Sequence, residues 1–158
     1  MKKTLLAGLL SLLLGLVQAQ EKGDFRLHFG GEFGTWPQLF FGMNGGVEYV
    51  FMDRLSVVPN YSRFFPEFGH ASSLNLDTRY YFTEGALKWY GMGGFTNAWS
   101  LLNRPGVGMV RVNTQGPNLG FGGLLAFDNR LALNPELKYW SQREGRFIFT
   151  ISMVYFLN

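Results

Sequence analysis

Few side chains in this sequence have the type and spacing to do chemistry. There are two histidines, His28 and His70, and no cysteine, so a disulfide, a thiolate metal site and a thiol nucleophile are all excluded. His70-Ala-Ser72 puts an imidazole two residues from a hydroxyl, with Glu67 nearby in sequence. Asp53, Asp77 and Asp128 are too scattered for a calcium loop. No Walker-type loop, zinc-ligand spacing or dinucleotide fingerprint is present, and no metal or cofactor is implied. The other chemically capable group is a set of charges: Arg26, Glu32, Glu48, Asp77, Arg79, Glu136, Lys138 and Arg146, four acids and four bases.

The segments that carry those charges alternate with period 2. Phe25, Leu27, Phe29, Gly31 and Phe33 oppose Arg26, His28 and Glu32. Phe41, Met43, Val47, Tyr49 and Phe51 oppose Asn44 and Glu48, and Leu55, Val57, Pro59 and Tyr61 oppose Ser56, Asn60 and Ser62. Leu74, Leu76, Tyr80 and Phe82 oppose Asn75, Asp77 and Arg79. A fifth strand runs from Leu87 to about Leu101, its phase blurred by Gly91, Gly93 and Gly94. The last three run over Asn118–Phe127, Leu131–Trp140 and Arg146–Leu157. Segments of about ten residues with one greasy and one polar face are the signature of transmembrane β-strands.

Within the strands every charge, Lys88 included, lies on the polar face except Arg63, which stands at the far end of its strand. A lysine or arginine facing lipid at mid-depth costs about 2–4 kcal/mol, so this sorting fits a membrane better than a merely amphipathic sheet. The expected fold is therefore all-β, an eight-stranded antiparallel up-and-down transmembrane barrel whose charged set turns inward. Eight strands leave an interior just wide enough for side chains to fill, so the charges pair as a polar plug and no open pore follows. His28 alternates inward beside Glu32 as a hydrogen-bonded internal histidine.

An echo supports the register. Phe51-Met-Asp-Arg-Leu55 with Pro59 matches Phe127-Asp-Asn-Arg-Leu131 with Pro135, 76 residues on, at equivalent strand–turn–strand junctions. Pro59 and Pro135 sit badly in a closed barrel and call for a bulge or a rim position.

The chain opens with Lys2 and Lys3, an apolar core from Leu5 to Val17 and the small-residue site Val17-Gln18-Ala19, which predicts a signal peptide over 1–19 and a single domain over 20–158. Removing the two lysines reduces the net charge from +3 to +1, which gives no reason to invoke nucleic acid. Aromatic content of 17% with 21 glycines suits rings at a lipid boundary and small residues inside a narrow barrel.

Tight turns at Asp53-Arg54 and Asp128-Asn-Arg130, against longer loops at Phe64–His70 and Leu102–Gln115, put the turns and both chain ends in the periplasm. Trp36, Phe64, Trp99 and Trp140 then mark the outer interface, and Tyr49, Phe51, Tyr80, Phe82, Trp89 and Tyr155 the inner one. Arg63, Arg104 and Arg111 fall where they could meet anionic lipopolysaccharide, although solvated loop charges are the plainer reading.

The succession Leu74 to Phe82, Tyr90-Gly-Met-Gly-Gly-Phe95 and the run Gly120 to Tyr139 resemble the small bacterial outer-membrane β-barrel family, which includes the OmpA membrane domain and OmpX. The resemblance implies an outer-membrane location, outer-membrane lipids and lipopolysaccharide as surroundings, and insertion by the barrel-assembly machinery. It implies no enzymatic activity and leaves any exterior ligand unspecified. Two alternatives stand beside it. His70-Ala-Ser72 resembles the His-x-Ser of outer-membrane lipid A deacylase, in which the histidine activates the serine at the outer rim; here Ser73-Leu74-Asn75 departs from the motif that follows it. A secreted, lipocalin-like carrier of apolar ligands would need a greasy cavity inside and a wet exterior.

Overall fold

A computed structural model describes residues 22–34, 40–66, 69–104, 108–142 and 145–157, with the backbone alone at 102–104. The proposed signal peptide, Trp36 and Glu67 lie outside them, as does the Arg104 side chain.

The chain forms eight strands: β1 (Phe25–Gly34), β2 (Phe40–Met52), β3 (Leu55–Phe65), β4 (Gly69–Tyr81), β5 (Leu87–Arg104), β6 (Gly108–Ala126), β7 (Leu131–Trp140) and β8 (Arg146–Phe156). Each pairs antiparallel with its sequence neighbours, and β1 closes on β8 from Arg26↔Phe156 to Gly34↔Ile148, giving an up-and-down barrel without a free edge in its body. The period-2 pattern supplies the two faces. Phe29, Leu76, Phe121 and Ile151 are exposed on the outside, whereas Arg26, Glu48, Asp77 and Glu136 are buried inside.

Sequence periodicity stops short at one end of the barrel. The loop expected at Leu102–Gln115 is mostly strand: β5 and β6 continue as one long hairpin, paired from Leu87↔Leu125 to Arg104↔Gly108. The loop expected at Phe64–His70 also shrinks, because Phe64 and Phe65 end β3 while Gly69 and His70 begin β4. Beyond the apolar belt the outward residues become Asn97, Asn113 and Gln115, so hydrophobic alternation fades while the backbone ladder goes on. The opposite end is closed by short turns, one with Arg54 at φ 67° and paired to Glu84.

The prolines need neither a bulge nor a rim. Pairing of β2 with β3 runs through Gly46↔Asn60, lapses, and resumes at Tyr49↔Val57 in the same register. Pairing of β6 with β7 lapses likewise between Gly122↔Glu136 and Leu125↔Leu133. Each proline, lacking an N–H, thus leaves a local gap in one ladder without shifting the strand. The gaps fall at matching places in the two echoing hairpins, so the echo is structural.

Candidate functional site: the charged barrel interior

Alternation fixes which side chains enter the lumen, and register decides which of them meet. Glu48 enters from β2 opposite Arg26 on β1 and receives five groups. Arg26 Nη1 lies 3.6 Å away and Arg79 Nη1 3.3 Å, His28 Nε2 is at 2.9 Å, and the hydroxyls of Tyr81 (2.7 Å) and Ser56 (2.5 Å) donate to its other oxygen. The histidine pairs with Glu48 on the neighbouring strand and not with Glu32, which lies four residues on along β1, roughly 13 Å away at about 3.3 Å per residue.

Arg79 bridges two acids, its Nη2 donating to Glu136 at 2.7 Å, and its guanidinium lies over the Tyr90 ring at 4.6 Å. Glu136 also accepts from the Tyr90 hydroxyl and stands 3.4 Å from Lys138. Lys138 continues to Asp77 at 2.7 Å, and Asp77 accepts in turn from Asn60 and Asn118. Glu32 sits apart, holding Asn44 and Thr150. His28, Asn60, Arg79, Glu136 and Thr150 help line a polar cavity of about 10 Å³, room for one water.

Seven of the eight predicted charges are buried inside. Arg146 faces the same way but stands half-exposed at the end of β8, and among the described residues no ion pair joins it to the network. Its place in the balance is taken by Lys88, buried at the short-turn end of β5. Lys88 lies on the polar face that alternation gives it, although Gly91, Gly93 and Gly94 blur the phase of the rest of β5.

Gly94 has a packing reason. It pairs with Asp77 on one side and Asn118 on the other, and a Cβ there would meet the Leu76 carbonyl and the Asp77 carboxylate. Gly94→Ala is expected to cost about 1–3 kcal/mol by overpacking, read as a lower urea midpoint for unfolding. Gly45→Ala, where the nearest atom would be 3.8 Å away, is expected to leave that midpoint unchanged.

Above the charges, at the long-hairpin end, Phe64, Trp140 and Ile148 form a buried apolar layer, with Phe40, Ala71 and Ala98 packed against it. Phe64 and Trp140, expected at the outer interface, thus point into the barrel. Both are even-numbered on strands whose even residues face inward, a parity hidden for Phe64 when it is read as loop. Trp99 does face outward, against Tyr61, and so do the exposed rings of Tyr80, Phe82, Trp89 and Tyr155 near the short turns. His70 is exposed on the outer face. Ser72 shares that face but is buried, its Oγ accepting from Tyr61 Oη (3.1 Å) and Arg63 Nη1 (3.2 Å). The His–Ser contact of a nucleophile and its base is not among the bonds of the described residues.

The comparison with solved structures decides the fold type. The chain superposes on the N-terminal β-barrel domain of Pseudomonas aeruginosa OprF with a TM-score of 0.71 at 16% identity, over 89% of this chain and 100% of that one. By fold it is a small outer-membrane-type barrel. The same type is met in Neisserial surface protein A (TM-score 0.65, 12% identity, 85% of this chain and 97% of that one). It is met again in Ail of Yersinia pestis in complex with the heparin analogue sucrose octasulfate (TM-score 0.68, 12% identity, 87% and 100%). No protein-family model and no curated protein sequence matches this chain. Identities this low carry the outer-membrane-type architecture and leave the lumen and the loops to be read from the residues themselves.

Proposed function

We propose that the chain spans the bacterial outer membrane as a side-chain-filled barrel with a structural or surface-interaction role, and that it is not an enzyme. The observation that carries this is the inversion of an ordinary fold. Phe29 (62% exposed), Leu119 (67%) and Leu76 (56%) stand outside while Arg26, Glu48 and Asp77 are fully buried inside. An apolar exterior of this extent is unsustainable in water and natural in hydrocarbon. It also removes the lipocalin-like alternative, whose cavity would be greasy and whose exterior would be wet.

The short turns and both chain ends are assigned to the periplasm and the long β5–β6 hairpin to the exterior, following the usual asymmetry of such barrels. Residues 1–19 act as a cleaved signal, and insertion uses the barrel-assembly machinery. The paired charges and the Phe64–Trp140–Ile148 layer support a closed lumen, so the wild type should carry no steady current in planar bilayers. The bonding of Ser72 to Tyr61 and Arg63 favours a surface protein over a deacylase-like hydrolase. A surface role also agrees with the sulfated sugar bound by Ail.

The test combines heat-modifiable migration on gels with spin labels at Phe121, Leu133 and Ile151 in vesicles. The folded chain is expected to migrate differently before and after boiling, and all three labels to report acyl chains. Labels that report water or a protein interior would refute the reading.

A further inference from the structure

The inward charges are balanced, four acids (Glu32, Glu48, Asp77, Glu136) against four bases (Arg26, Arg79, Lys88, Lys138) among the buried residues. The outward face is not. Among the described strand residues its charged side chains are Arg63 and Arg111, both near the long-hairpin end, with no carboxylate on that face.

Register places the two arginines on one continuous surface. Arg63, Ser72, Trp99 and Asn113 form a row across β3 to β6, and His70, Leu101 and Arg111 form the next row outward. Below them come Tyr61, Leu74, Asn97 and Gln115, and then Pro59, Leu76, Phe95 and Pro117, where the apolar belt begins. Arg63 is held in place: its Nη1 donates to the buried Ser72 hydroxyl, which Tyr61 also engages, and Tyr61 packs against Trp99.

We propose that this surface seats a bisphosphorylated glycolipid of the outer leaflet, one phosphate at Arg63 and the other at Arg111, with its acyl chains on the belt below. The proposal rests on the outer-membrane reading above. Three features select the occupant. Cations with no ion pair among the described residues, just above an apolar belt, complement phosphate carried on acyl chains. Three strand spacings and a two-residue offset separate the arginines by roughly 15 Å, too far for one phosphodiester headgroup and suited to a disaccharide with a phosphate at each end. Asn113 shares the row of Arg63 and stands next to Arg111 on β6, and Asn97 and Gln115 lie in the row just below, amides that match sugar hydroxyls beneath the two phosphates.

The experiment is native mass spectrometry of the refolded barrel with bisphosphorylated lipid A, monophosphorylated lipid A and phosphatidylglycerol, each variant being checked first for heat-modifiable migration. Bisphosphorylated lipid A should be retained best, and Arg63→Gln and Arg111→Gln should each lower its retention about tenfold. Arg63→Lys, which keeps the charge but loses the two-pronged geometry, should fall between. Equal retention of the three lipids, equal retention by folded Arg63→Gln and wild type, or displacement by millimolar inorganic phosphate would overturn the seat alone. A wild-type chain that never acquires a heat-modifiable form would overturn the membrane reading and the seat with it.

Discussion

Glu48→Leu is expected to be among the most damaging single changes in the barrel, costing about 3–5 kcal/mol of folding stability. Glu48 is the acid on which Arg26, Arg79 and His28 converge, and removing it leaves buried cations without their shared carboxylate. Arg79 retains Glu136, whereas Arg26 retains, among the described residues, only the ion pair with Asp24 at 3.4 Å. Pairing the change with Arg26→Leu should therefore recover part of the loss, so that the double variant is more stable than the two single costs predict. Urea titrations of refolded protein in vesicles, followed by tryptophan fluorescence, measure all three. Additive costs would mean that Glu48 and Arg26 do not act as a pair. Planar-bilayer recordings of Glu48→Leu should still show no steady pore, since leucine fills the vacated space and the Phe64–Trp140–Ile148 layer is untouched.

Outside β5, whose phase its glycines blur, the face of each strand was legible in the sequence because membrane and lumen impose opposite demands on alternate residues, and period 2 records that demand directly. Arg26, Glu32, Glu48 and Asp77 could be placed inside before any fold was known. Pairing within the lumen was not legible. Which inward residue of β2 meets His28 depends on how far β1 slides along β2, and two polar faces look the same at every even offset. Strand ends were the other weak point. Outside the lipid, Asn97, Asn113 and Gln115 need not be apolar, so β5 and β6 extend on backbone hydrogen bonds that leave no hydrophobic trace. Trp140 shows a related limit: an aromatic residue near a boundary suits a lipid interface and a luminal cap equally well by composition, and only its parity with Glu136 and Lys138 tells them apart.

Phe121→Arg separates a membrane barrel from a water-soluble one more sharply than any change to the lumen. Phe121 is 55% exposed within the apolar belt of β6, with Gly91 and Leu137 as its neighbours in the ladder. In water, an arginine at such a site would be neutral or would improve solubility. At mid-depth in a bilayer it should cost about 2–4 kcal/mol, against about 0–1 kcal/mol near an interface. Gln115→Arg supplies that second case on the same strand, three rows nearer the long-hairpin end. Equilibrium unfolding of both variants in vesicles should therefore rank Phe121→Arg well below Gln115→Arg, and the same pair in detergent micelles, which deform around a charge, should differ less. Equal stabilities in vesicles would mean that Phe121 meets water, and the inside-out sorting of this sequence would then need another cause.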